Sequence, residues 1–199
     1  MAGIGLSGVY YAKCTVTSGQ VTGYTGGAKT MGGAISASFE PVDDEVAKLY
    51  YNNAIGETYS KSGSGGTLTF TLDRLKLDAA CDLYGLTKTS TNVTVNSTTV
   101  NGTGYDVYGT EQANPVGVAF IEWSQEDNDR NNYKVTLYRN ATFSMPNVDA
   151  QTMGETVEWK TPEIEGTVVG GDGVHAWFKQ RTFPSQTAAE AYITQEFSA

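Results

Sequence analysis

The chain has 199 residues and a formal net charge of −9, from 22 acidic and 13 basic side chains. A protein that grips nucleic acid needs a clustered cationic face to displace counterions; here the basic residues are scattered, so stable nucleic-acid binding is not expected. One histidine (His175) and two cysteines without a Cys/His cluster argue against a metal centre.

Val9–Thr17 reads as a first strand, followed by a Gly/Ser/Thr loop over 18–33. Ile35, Ala37 and Phe39 alternate with Ser36, Ser38 and Glu40 in a second strand that ends at Pro41. Leu49-Tyr50-Tyr51 is a short strand, and the polar, Gly-rich stretch from Asn52 to Gly66 is a mobile loop or a hairpin arm. Thr67–Leu72 gives the cleanest alternation, with Leu68, Phe70 and Leu72 on one face and three threonines on the other. Helical spacing of Leu75, Ala79 and Leu83, stopped by Gly85, predicts a short helix over 73–84. The Thr/Val-rich segment Asn92–Tyr108 predicts a hairpin, with Asn101-Gly102 as its turn.

Two long strands follow, Pro115–Ser124 and Tyr133–Pro146, joined by a polar turn at Asp127. In the first, Val116, Val118 and Phe120 point one way and Gly117, Ala119 and Ile121 the other, so both faces are apolar, as in a strand covered on two sides. A third β-patterned stretch spans Glu155–Val169, where Val157 and Trp159 alternate with Thr156, Glu158 and Lys160. After a Gly-rich turn at Gly170, residues 187–197 read as a C-terminal helix. Ser185 is its N-cap, with Ala188, Ala191, Tyr192 and Phe197 toward one face. All five prolines sit at segment ends, where no ladder donor is needed. The fold class is mainly β, an antiparallel sandwich or barrel-like domain spanning 1–199 with two helices.

The candidate chemical sites weigh little. The opening residues lack a basic stretch followed by an apolar run, so no leader is expected, and no segment approaches membrane-spanning length. Four sequons, at Asn92, Asn96, Asn101 and Asn140, read as products of Asn/Thr-rich strands. The run from Asp127 begins like a calcium loop, but its sixth residue is Asn132 and its twelfth is Tyr138, where glycine and glutamate are required. Asp43/Asp44 and Glu163/Glu165 are acidic pairs of a kind common on acidic surfaces. A hydrolytic triad would have to recruit His175, and no nucleophile-elbow motif accompanies it. The chain is therefore read as a non-enzyme without cofactor or metal. Cys14 and Cys81 are read as buried thiols, a single disulfide remaining open. Trp123, Trp159 and Trp177 leave a second function class, a carbohydrate-binding or adhesive β-sandwich module.

Taken in order, the stretches Gly5-Leu-Ser-Gly-Val-Tyr-Tyr-Ala-Lys, Gly33-Ala-Ile-Ser-Ala-Ser-Phe-Glu, Lys48-Leu-Tyr-Tyr-Asn-Asn, the segment 66–85, Pro115-Val-Gly-Val-Ala-Phe, 133–146 and 156–166 with its Thr161-Pro-Glu-Ile-Glu-Gly carry a resemblance. The chain resembles the major tail protein family of long-tailed, siphovirus-like bacteriophages. The segment after Gly170 lies outside it. The resemblance implies a tail-tube fold whose copies close into hexameric rings and stack into a hollow virion tail. It also implies a tape-measure protein inside the tube and terminator and baseplate (distal tail) proteins at its ends. The protein would be made in the host cytoplasm, and double-stranded DNA would pass through the lumen without specific binding. Two segments, 18–33 and 52–66, are candidate stacking or intersubunit loops, with Gly19, Tyr24, Gly27, Tyr59, Lys61, Gly63 and Gly65 as their marked residues. A carboxylate-rich lumen would repel phosphate along the path.

Overall fold

The computed structural model describes residues 3–42, 46–51, 54–60, 65–125, 131–146, 160–170 and 175–198. In chain order its strands are β1 (Gly3–Thr17), β2 (Gln20–Gly32), β3 (Ala34–Pro41), β4 (Val46–Tyr51), β5 (Ala54–Ser60) and β6 (Gly65–Leu72). Helix α1 (Leu77–Tyr84) precedes β7 (Lys88–Val95), β8 (Thr98–Tyr105), β9 (Val116–Gln125), β10 (Asn131–Phe143), β11 (Glu163–Val169) and β12 (Phe178–Phe183), and α2 (Gln186–Glu196) closes the order. The main sheet is antiparallel, in the order β2-β1-β9-β10-β11-β6-β3, with β12 also on β10. Strand β10 is long enough to serve two partners on one edge: Tyr133–Tyr138 face β12, and Ala141–Phe143 face β11. Two further sheets are lone hairpins, β4–β5 and β7–β8. The mainly β expectation with a short helix and a C-terminal helix is what the structure has.

Two cores lie on opposite faces of the sheet. The inner one gathers Val9, Tyr11, Leu68, Phe70, Leu72, Tyr138, Phe143 and Ile164, closed by Ala79, Leu83 and Tyr84 of α1. The outer one packs Ala12, Ala119, Ile121, Val135 and Leu137 beneath Ala189, Ile193 and Phe197. Strand β9 shows why the sequence needed apolar residues on both sides. Val116, Val118 and Phe120 enter the inner core, while Ala119 and Ile121 enter the outer one. Gly117 completes that outer set: a Cβ there would stand 2.4 Å from the Tyr24 ring and 2.8 Å from Phe197.

Helix α2 starts as expected, with the Ser185 hydroxyl accepting from the Ala188 N–H at 3.3 Å. Its inward face is Ala189, Ile193 and Phe197, with Tyr192 beside it, whereas Ala191 is exposed. Helix α1 begins later than the spacing suggested. Asp73 is engaged at the β2–β3 corner, its carboxylate accepting from the Gly33 N–H, and the Lys76 N–H donates to Met31 C=O, which leaves residues 73–76 outside the helix. Gly85 ends α1 in the left-handed conformation at φ 68°.

Three sequence expectations need correction. Residues 18–33 are not a loop: Ser18 and Gly19, at φ 53° and 80°, form a tight turn, and β2 runs back along β1 from Gln20. Only Val21 and Met31 of that strand are fully buried, so its alternation is too sparse to read. The turn of the β7–β8 hairpin is Asn96-Ser97, both at positive φ, and Asn101-Gly102 sits inside β8 opposite Asn92 and Thr91. A turn at 96–97 gives an unbroken ladder from Val95↔Thr98 to Lys88↔Tyr105, and the gain of that pairing outweighs the local preference of Asn-Gly. Ile35 is 52% exposed because a register shift between Ala34 and Ser36 turns it outward. The expected strand around Val157 and Trp159, the turn at Asp127 and the part of the Gly-rich turn that follows Gly170 lie outside the described residues.

One polar cluster fastens α1 to the β1–β2 hairpin. Asp82 accepts from the Tyr11 hydroxyl at 2.9 Å and from Lys29 Nζ at 2.7 Å, and Lys13 Nζ stands 3.1 Å away. Partial burial pushes the Asp82 carboxyl up, but the hydrogen bonds from Lys29, Lys13 and Tyr11 outweigh that and hold it below the usual carboxylate value. Both lysines are partly exposed, so each ion pair adds little, and the buried Tyr11 hydroxyl left without an acceptor dominates the cost of losing Asp82. Asp82→Ala, which removes that acceptor, is expected to lower unfolding stability by about 1–2 kcal/mol. A carboxyl held below its unfolded value stabilises fully above that unfolded value, near pH 4, and the contribution is lost as pH falls through the folded pKa. Urea titrations across pH 2–6 should therefore show a flatter acid limb in the variant.

Candidate assembly surfaces

The outward face of β3, β6 and β11 is a grid fixed by register. Its rows are Ser36–Thr71–Glu163, Ser38–Thr69–Glu165 and Glu40–Thr67–Thr167. The opposite faces of the same strands carry Ala37, Phe39, Leu68, Phe70, Leu72 and Ile164 into or against the inner core, so period two leaves the grid to solvent. All nine residues are exposed or half-buried, and none is a lysine or arginine. Ser36 Oγ and Thr71 Oγ1 lie 2.9 Å apart, tying neighbouring hydroxyls across strands. Such a surface offers hydroxyls to water and carboxylates to any approaching anion.

At one end of this grid the chain leaves β3 and returns into β6. The Val42 N–H donates to Gly65 C=O at 3.0 Å, so the two ends of segment 43–64 are held together. Within that segment β4 pairs β5 from Val46↔Ser60 to Tyr51↔Ala54, so Ala54–Ser60 is one strand of a hairpin. Gly65 itself is not a loop residue. It is buried at the start of β6, at φ 108°, and a Cβ would lie 2.1 Å from Val168 C=O.

The other marked residues scatter. Tyr59 lies in β5 opposite Ala47, and Lys61 and Gly63 are outside the described residues. Gly19 is at the exposed tip of the β1–β2 hairpin, and Gly27 follows Gly26 in a bulge, at φ 66° and 81°. Tyr24 is used inside the subunit. Its ring meets Phe197 edge-on at 5.0 Å and its hydroxyl donates to Arg139 C=O at 3.2 Å. Burial pushes that hydroxyl's pKa well above the normal phenol range.

The segment that the sequence reading did not mark is the second hairpin. In β7–β8 only Thr89 and Gly104 are half-buried, and every other residue is exposed. Register puts Val93, Val95 and Val100 on one face, each more than half exposed. Its base is held: Lys88 Nζ meets Asp78 at 2.8 Å, and Asn114 beyond it donates to Asp82 C=O at 2.7 Å. The visible signal was the absence of any charged residue from Thr89 to Tyr105.

The remaining features fit structural roles. The Trp177 ring packs against Phe39 and Tyr138 at 6.1 and 6.4 Å between centroids, partly buried against the inner core. Tyr138, the twelfth residue of the calcium-like run, is buried in that core. Both cysteines are free thiols, and burial pushes the Cys14 thiol up to about 12. Among the described residues no cluster of His, Cys, Asp and Glu could hold a metal ion, and no helix is long and apolar enough to cross a membrane. No protein-family model and no curated protein matches the chain.

Proposed function

We propose that this protein is the repeating subunit of a phage tail tube, closing into rings that stack as a hollow conduit for DNA. The observation that carries the reading is the cation-free grid on β3, β6 and β11. A conduit for a polyanion must neither bind phosphate nor dry out. Carboxylates at Glu40, Glu163 and Glu165 repel the backbone, and the six hydroxyls between them hold water at the wall. In this reading the grid lines the lumen, and the net charge of −9 is consistent with it. The arm 43–64 leaves the end of the same strands, where it can reach a copy in the next ring. Ring closure and stacking both use heterologous contacts; the first closes and the second propagates. By resemblance the partners are further copies of the chain, a tape-measure protein, a terminator and a baseplate protein, in a virion tail.

Electron microscopy of the concentrated protein tests this. Rings or hollow tubes of one width are expected, with Glu40, Glu163 and Glu165 facing the bore in a resolved map. A map with these residues away from the bore would overturn the lumen assignment. A monomer at every concentration that retains glycans on an array would replace the tube with the carbohydrate-binding alternative.

A further inference from the structure

We infer that the β7–β8 hairpin is an intermolecular arm whose valine face lies against a second copy of this chain. The inference rests on the proposal that the protein self-assembles. A two-stranded hairpin in water is marginally stable alone and needs a third strand or a packed face. Among the described residues neither strand pairs with anything but the other, and the hairpin forms a sheet of its own. Its faces are unlike. One carries Thr89, Thr91, Val93 and Val95 opposite Gly104, Gly102, Val100 and Thr98, and the other carries Ser90, Asn92 and Thr94 opposite Thr103, Asn101 and Thr99. Three half-exposed valines gathered at the distal end are a surface built to be covered.

The occupant follows from charge. Residues 89–105 contain no Asp, Glu, Lys or Arg, in a chain that otherwise carries 35 charged side chains with an excess of nine negative ones. Copies of such a chain repel wherever charged surfaces meet, and an uncharged arm is the part that can approach another copy without that cost. A cationic partner would be met by carboxylates, and this arm has none. The arm is also placed for reach. The Lys88–Asp78 pair and the Asn114 contacts to α1 fix its base, while its tip at Asn96-Ser97 contacts neither core. Free ladder groups along both outer strands allow the contact to add main-chain hydrogen bonds to the apolar one.

The test compares the full chain with two variants, Val93→Thr/Val95→Thr/Val100→Thr and Val93→Asp/Val95→Asp/Val100→Asp. Threonine keeps the β-branched shape and removes the apolar face, so folding of the arm is not itself at stake. Sedimentation velocity against concentration gives the assembly midpoint, and hydrogen exchange reports the amides of 88–105 and of β9. Amides of the arm are expected to exchange freely in dilute protein and to gain protection as copies associate. The threonine variant should need about tenfold more protein to assemble and the aspartate variant should stay monomeric, with β9 protection unchanged in both. Assembly at the wild-type midpoint in either variant, or an arm that stays unprotected in the assembled protein, overturns the inference. So does a wild-type chain that remains monomeric at every concentration. Arm-dependent closed dimers without rings would support the arm and remove the tube.

Discussion

Phe197→Ala is expected to detach helix α2 and to lower unfolding stability by about 3–5 kcal/mol, the range for emptying a buried aromatic site. Phe197 is fully buried, ends the inward row Ala189, Ile193 and Phe197, and meets the edge of Tyr24 over Gly117. That short row and Tyr192 are the apolar anchors of helix α2, the Tyr10 hydroxyl donating to Glu190 at 3.2 Å and the Lys179–Glu196 pair at 2.6 Å are partly exposed ties, and its isolated length is below what helix propensity sustains in water. Losing the largest member of the row therefore unfastens the whole helix. Hydrogen exchange should show α2 amides open while β6 and the inner core stay protected, and urea unfolding should give the loss. The same contact can be broken from below. Gly117→Val places atoms where Tyr24 and Phe197 already stand, and overpacking of this kind costs about 1–3 kcal/mol or more. A Phe197→Ala chain with protected α2 amides would mean that the helix is held by something other than this row. Once α2 leaves, Ala119, Ile121, Val135 and Leu137 become an exposed apolar face, so the variant is expected to precipitate before it assembles in order.

Where one face of an element buries and the other does not, the sequence was readable. Strand β6 alternates Leu68, Phe70 and Leu72 with threonines, and it is found where expected. The doubly apolar run Val116–Ile121 foretold two cores, although it could not say that α2 would supply the second. Strand β2 was missed because its inward positions are mostly filled by glycine, alanine and tyrosine, so pairing with β1 decides its state rather than pattern. The Asn101-Gly102 expectation failed because a turn signal is local, whereas register is summed along the whole ladder. Ile35 failed because a single-residue bulge reverses every side chain beyond it, and nothing in the residues announced the bulge. The grid of Glu40, Glu163, Glu165 and their hydroxyl neighbours was half legible. Each strand shows its own polar face, but only the order β11-β6-β3 sets the three side by side.

Replacing residues 43–64 with an Asn-Gly turn is expected to abolish stacking while leaving the subunit folded. The Val42 N–H to Gly65 C=O bond of 3.0 Å already brings the cut ends to hairpin distance, and the ladder continues through Pro41↔Gly66 to Ala34↔Leu72. A two-residue turn of the favoured type can close that pair. Shortening the connection lowers the entropy lost on closing it, so the unfolding midpoint should stay the same or rise slightly. Assembly should respond differently. If the arm reaches the next ring, the excised protein retains whatever contacts close a ring and loses those that propagate one. Electron microscopy should then show isolated rings or monomers where the full chain gives tubes. Tubes of normal length from the excised protein would move the stacking contact elsewhere, with the β7–β8 hairpin as the next segment to remove. A subunit that no longer folds would show instead that the arm belongs to the monomer, contrary to the closed β3–β6 pair beneath it.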